Sequence, residues 1–243
     1  MPSTICLNDY NVRLFKGRLY NHDYLWFSSN EISKVSTTLP FIHNYALCYA
    51  LGQISHRICK GSVPKYVEDP DAEFGMLPLY STPASAVNVG RTVITFNAVN
   101  SLTLTTGDSK TLNTPNLGKR VYLNPCWESS DFKPQLGFTL YVFTYDGYNL
   151  PSVFRLGKKG AAMRAYWKEL IDPVAVFSDD AHTPIHPVNP LDVSGNIVKY
   201  DPIMLPPHML LRTATVAEDW FVITGKQVVH VPKRVFQRIG VAA

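Results

Sequence analysis

The densest run of chemically capable groups is Phe154-Arg155-Leu156-Gly157-Lys158-Lys159-Gly160-Ala161-Ala162-Met163-Arg164-Ala165-Tyr166-Trp167-Lys168, with five cations and no acid. Two glycines bracket two lysines, so the backbone can come close to a phosphate while the ammonium groups neutralise it. Arg155 and Arg164 extend the positive charge to either side. This is not a Walker loop, because the spacing G-x-x-x-x-G-K-[ST] occurs nowhere in the chain. Tyr166 and Trp167 suit stacking on an unpaired base. The competing reading is a solvated basic turn leading into a strand whose aromatics fill the core.

His43-Asn44 falls in the first turn of a predicted helix, where free N–H groups and the macrodipole favour an anion. An imidazole there could hold a phosphate or act as a general acid in RNA cleavage. It could equally be a histidine buried among aromatics. Asp179-Asp180-x-His182-x-x-x-His186 resembles a metal site only superficially, since H-x-x-x-H gathers two ligands on a helix and Pro184 and Pro187 oppose one. The hydrolase elbow G-x-S-x-G is missing. The residues therefore point to no catalytic set, no metal and no cofactor. Further cations recur at Arg13/Lys16/Arg18, Lys119/Arg120 and Lys226/Lys233/Arg234/Arg238. Each reads singly as a solvated strand face, and their recurrence favours an anionic polymer.

The elements that must position these groups can be read from pattern. Val12–Tyr20 and Tyr24–Ser29 read as extended segments around Asn21-His22-Asp23. Thr37/Thr38 followed by Pro40 predicts a helix from Pro40 to Ile54, with Phe41, Tyr45, Cys48 and Gly52 on one face. Residues 61–90 read as loop. Arg91–Val99 and Leu136–Phe143 alternate as strands. Between them, Ser101–Asn124 reads as a protruding hairpin, with Leu102/Leu104 and Val121/Leu123 at its base and Thr, Gly, Asp and Asn at its tip. Pro184–Pro207 holds six prolines and reads as an irregular extended segment. Met209–Val216, Trp220–Ile223 and Val228–Val231 read as strands, the last two joined by Thr224-Gly225-Lys226-Gln227. The sum is an α+β fold of helix on antiparallel sheet, a single domain over residues 1–243.

Composition fits that reading. Of the 243 residues, 46% are hydrophobic and 17% charged, enough apolar material for a folded core. The net charge of +4 permits a nucleic-acid partner without demanding one. Cys6, Cys48, Cys59 and Cys126 lack paired spacing, so reduced thiols are expected, with Cys48 in the core. No charged-then-apolar leader opens the chain, and no apolar run approaches the roughly 20 residues that span a bilayer. A soluble cytoplasmic protein without a membrane partner is the expectation.

Two segments carry a resemblance: Tyr24-Leu25-Trp26-Phe27-Ser28-Ser29-Asn30-Glu31-Ile32-Ser33, and Pro40-Phe41-Ile42-His43-Asn44-Tyr45-Ala46-Leu47-Cys48-Tyr49-Ala50-Leu51-Gly52. With Phe154–Gly160 and His186-Pro187-Val188-Asn189-Pro190-Leu191-Asp192-Val193, they resemble the Cas-five-type (Csc-one) subunit of type I-D CRISPR Cascade, over about residues 5 to 235. The resemblance implies a ferredoxin-like (RRM-like) core with a β-hairpin thumb, here 101–124. It implies a non-catalytic protein of antiviral defence that caps the 5′ handle of the CRISPR RNA. Expected partners are that handle, the Cascade large subunit and the first backbone subunit, with target double-stranded DNA near the protospacer-adjacent motif. The RNA-binding residues expected here are Arg155, Gly157, Lys158, Lys159, Arg164, His43, Asn44, Lys119 and Arg120. The rival function is a metal-independent endoribonuclease using His43 with a lysine or tyrosine, and a third is a β-rich assembly protein without nucleic acid.

Overall fold

The structure, a computed structural model, describes residues 4–32, 35–52, 70–86, 89–98, 116–126 and 137–241. Among these the N-terminal strands are β1 (Thr4–Cys6), β2 (Val12–Asn21), β3 (Asn30–Ile32), β4 (Val35–Thr37) and β5 (Phe41–Ile42). Then come β6 (Leu79–Ser81), β7 (Ala84–Ala86), β8 (Arg91–Ala98), β9 (Asn116–Leu123), β10 (Phe138–Tyr145), β11 (Val153–Leu156) and β12 (Ala161–Glu169). The C-terminal strands are β13 (Val174–Ser178), β14 (Asn196–Ile203), β15 (Leu210–Ala217), β16 (Asp219–Thr224) and β17 (Gln227–His230). The helices are short: α1 (Asn44–Leu51), α2 (Pro70–Gly75) and α3 (Lys233–Ile239). The fold is α+β and mostly antiparallel.

The central sheet runs β11–β12–β2–β10, and the outer edge of β10 is shared by β6 and β7, with β5 beyond β7. Taken as β12, β2, β10 and β6, every neighbouring pair is antiparallel. In chain order these strands are the fourth, first, third and second. α1 separates β2 from β6 in the chain and packs against both β6 and β11, so it crosses one face of the sheet. No helix stands between β10 and β12; the chain makes β11 there instead. A second sheet, β1–β13–β16–β17, faces the first, while β14–β15 and β3–β4–β9–β8 form smaller sheets. Seven of the eight residues of β10 are buried, Phe138 and Phe143 completely. Its two faces are therefore both covered, and burying each phenylalanine contributes about 1.5–3 kcal/mol.

Several elements depart from the sequence reading, each for a local reason. The helix expected over Pro40–Ile54 starts later, because Phe41–Ile42 pair with Ala84–Ser85 as β5. Thr38 is not free to cap it: its hydroxyl donates to Phe27 O (2.9 Å) and accepts from Phe27 N–H (3.1 Å). His43 caps instead, with Nδ1 accepting the Tyr45 N–H at 3.2 Å, and Gly52 closes the helix. Ile54 lies outside the described residues. Tyr24–Ser29 is not a strand; it contributes one bridge, Leu25 to Leu123. β9 pairs with β8, placing Val121 opposite Val93 and Leu123 opposite Arg91. Leu102 and Leu104 lie outside the described residues. The proline-rich stretch hides β14, which pairs with β15 through two register shifts, one at Pro202. Lys233, Arg234 and Arg238 stand on α3, not on a solvated strand.

What anchors α1 is a buried polar knot. Asn44, with no exposed surface, donates to Tyr80 Oη (3.0 Å) and Asp192 Oδ2 (3.1 Å), and accepts from Asn189 Nδ2 (3.2 Å). Asp192 also accepts from Tyr80 Oη (2.7 Å) and Arg234 Nη1 (2.6 Å). Arg234 lies over the rings of Tyr45, Phe74 and Tyr80. Burial pushes the Asp192 carboxyl up and opposes the charge of Arg234; Tyr80 and Asp192 outweigh the second effect, so the guanidinium stays charged. The sequence His186–Val193 thus supplies Asn189 and Asp192 to the start of α1.

Candidate nucleic-acid interface

The glycine–lysine stretch is the turn of the β11–β12 hairpin, with Leu156 opposite Ala161. Gly157 and Gly160 have φ of 80° and 63°, the left-handed region that favours glycine. At Gly157 space matters as much: a Cβ would lie 2.8 Å from the carbonyl oxygen of Trp26. The close approach that the glycine permits is to the protein's own backbone, and Lys158 N–H donates to that same oxygen at 3.0 Å. Arg155 Nη1 donates to Gly160 O at 2.8 Å, tying the turn from within. Lys158 and Lys159 project to solvent.

Trp26 brings two distant cation patches together. The Lys158 ammonium lies 5.2 Å from the indole centroid, and the Arg120 guanidinium of β9 lies 4.2 Å from it. Trp26 is 7% exposed, and its Nε1 has no hydrogen-bond partner. Tyr122 packs beside it and Tyr24 beside Tyr122. Cation–π contact is worth about 0.5–1 kcal/mol per pair at an exposed site. The two cations, far apart in sequence, thus stand over one ring. Lys119, next along β9, is exposed.

A cavity of about 220 Å³ opens beside this cluster, lined by Ser28, Ser29, His43, Tyr45 and Tyr49, with Lys158 and Pro206–Pro207 at its wall. His43 and Lys158 therefore share a surface. The His43 ring packs edge-on against His208 at 4.6 Å. Since Nδ1 accepts from the Tyr45 amide, the proton sits on Nε2, which faces the His208 backbone without a hydrogen bond of ordinary geometry. Burial, then repulsion from His208, lowers its pKa to about 3.

Of the nine expected RNA-binding residues, Arg120 and Lys158 meet over Trp26, and Arg155, Gly157 and Lys159 belong to the turn docked on it, whereas Lys119, next to Arg120 along β9, falls on the opposite face of that strand. His43 borders the adjoining cavity. Asn44 is enclosed in the polar knot, so its part is to hold α1. Arg164 is elsewhere: on β12, across from Tyr20 and Val153, near His22, whose pKa is lowered by burial and then by Arg164. His182 bonds Ser178 Oγ, whereas His186 bonds Pro187 O and receives the His230 amide, so the two histidines do not converge. Trp26 is the residue that sequence reasoning missed. Only its place inside the first resembling segment could have signalled it.

A family model described as type I-D CRISPR-associated protein Cas5/Csc1 matches residues 12–238. The chain belongs to that family. Membership makes it a CRISPR-associated protein and ties it to a Cascade complex. No curated protein matches the chain. Among the described residues, no helix is long and apolar enough to cross a membrane.

Proposed function

We propose that this Cas5/Csc1 chain is a non-catalytic subunit of a type I-D Cascade complex, acting in the cytoplasm, and that it grips the 5′ handle of the CRISPR RNA. The observation that carries the reading is the pair of cations, Arg120 and Lys158, held over Trp26 beside a cavity. Phosphates would lie between these cations, with Lys159 and Arg155 at the rim, and one base would enter the cavity. The order β12–β2–β10–β6 with α1 across it supports a ferredoxin-like core whose second helix is replaced by β11. The β8–β9 pair would be the stem of the thumb, whose tip, 99–115, lies outside the described residues. The large subunit, the first backbone subunit and DNA near the protospacer-adjacent motif are the partners this reading implies.

His43 argues for binding over cutting. A general acid must carry a transferable proton near neutral pH, and an imidazole lowered to about 3, with Nδ1 committed to a backbone amide, is poorly matched to that task. The test is a copurified complex carrying Lys158→Ala and Arg120→Ala. It should lose handle affinity irrespective of base sequence, with the salt slope falling by roughly 0.7 for each phosphate no longer neutralised. An unchanged slope would refute the reading. Site-specific cleavage of a precursor by the isolated chain in EDTA, abolished by His43→Ala, would favour the endoribonuclease.

A further inference from the structure

The face of the central sheet turned towards the second sheet carries an arrangement that the Trp26 cluster does not use. Side chains of β2, β10 and β12 alternate, so Lys16, Arg18, Tyr141, Tyr166 and Lys168 share that face. They line a cleft of about 890 Å³ whose opposite wall is aliphatic, built from β13, β16 and β17. Pockets for small ligands run to ~300–1,000 Å³, so more than one nucleotide unit has room here.

Three features of this cleft are costly to an empty protein. Lys16 stands directly opposite Lys168, and like charges facing across a ladder destabilise it. Neither lysine has an ion-pair partner among the described residues. Tyr166, opposite Arg18, leaves 43% of its surface exposed between the two sheets. Tyr141 is 1% exposed, yet its hydroxyl has no hydrogen-bond partner. Burial raises that hydroxyl's pKa to about 12, so it remains a donor at every working pH. Two carboxylates, Glu169 and Asp172, also line the cleft, and Asp172 accepts from Asn8, so among the described lining residues Lys16 and Lys168 are not matched by a facing acid.

We infer that this cleft is a second nucleotide site, separate from the Trp26 cluster, which holds an unpaired stretch of single-stranded RNA. Lys16 and Lys168 clasp one phosphate between them and so remove their mutual repulsion. Tyr166 stacks on a base whose other face meets the aliphatic wall, and the Tyr141 hydroxyl donates to the base edge or the sugar. An apolar protein segment could satisfy the aliphatic wall but not the facing lysines, and an acidic one would leave the exposed Tyr166 ring without a flat partner. The inference rests on the proposed function only in taking single-stranded RNA as the polymer.

The full chain can be titrated with a single-stranded RNA tetranucleotide containing 2-aminopurine, whose fluorescence falls on stacking. Tyr166→Ala is expected to remove most of the quenching. Lys16→Ala with Lys168→Ala is expected to weaken binding about tenfold and to flatten the salt slope by roughly 0.7 for each phosphate released from its cation. Should either variant disturb the fold, Tyr141→Phe decides: it deletes an oxygen without a partner, so thermal stability holds or rises while affinity falls about fivefold, the order of one hydrogen bond. Lys158→Ala reports on the other site: if it alone weakens binding, the proposed function stands and this inference falls. If only the cleft variants weaken binding, the reverse holds. Unchanged affinity in all cleft variants overturns the inference. So does loss of a partner subunit from the copurified complex with RNA binding intact, since the cleft would then dock protein.

Discussion

Two buried histidines give the fold a steep acid limit. His43 and His186 each have a pKa lowered to about 3, in both cases chiefly by burial, with repulsion from His208 and His230 respectively adding to it. In the unfolded chain each returns to about 6.5. Between those values the unfolded state binds protons that the folded state does not, so stability rises with pH and is lost as pH falls below about 6.5. At pH 5 each histidine has cost about 2 kcal/mol relative to pH 7.5, from 1.36 kcal/mol per unit over 1.5 units. The pair together costs about 4 kcal/mol, a large part of the roughly 5–15 kcal/mol a domain possesses. Urea unfolding followed by tryptophan fluorescence at pH 7.5 and 5.0 measures the difference directly. His43→Gln, whatever its effect at pH 7.5, should remove about half of the pH-dependent loss. If wild type and variant lose the same amount, or wild type loses less than about 1 kcal/mol, the burial argument is refuted, and with it the case against a protonated His43.

Three further outcomes follow from the packing. Asp192→Ala leaves Arg234 buried without a counter-charge and should cost about 3–5 kcal/mol, read from the urea midpoint; Asp192→Leu combined with Arg234→Met should recover much of it. Gly157→Ala should be worse than Gly160→Ala: both strain a left-handed residue by about 1–2 kcal/mol, but only the first meets a backbone oxygen, at 2.8 Å against 3.8 Å to the Arg155 side chain. Differential scanning calorimetry ranks them, and equal losses would mean that the turn is not docked on Trp26. Lys168→Thr should raise the melting temperature of the RNA-free chain, since relieving a facing like charge is worth about 0.2–1 kcal/mol.

The strands were legible where local pattern and tertiary role agree. β2, β8, β15 and the β16–β17 hairpin stand within a residue or two of the segments read as extended, and Gly225 at φ 59° supplies the turn between the last two. Elements whose cues point the wrong way were not legible. Thr38 carries the sequence of a helix cap, but Phe27 takes both valences of its hydroxyl, and a histidine with no statistical claim to the position caps instead. β14 is concealed by prolines because its irregularities fall at register shifts that tolerate them. α3 is too short and too basic to show a period. The candidate site divides the same way. The Gly157–Gly160 turn is written in consecutive residues, whereas its union with Arg120 depends on Trp26, which no spacing rule links to either.

The Asn44–Asp192–Arg234 knot also governs when the chain can finish folding. Synthesis runs from the N-terminus, and segments of a chain gain structure as they emerge. Until Arg234 has left the ribosome, the Asp192 carboxylate has no cation to meet in the space it must occupy beside Asn44 and Tyr80. A nascent chain ending at Pro232 holds every strand of both large sheets but not the charge that lets them close over α1. α3 thus works as a latch, and a message broken just short of its codons would yield a chain that keeps these strands and lacks the charge that locks them.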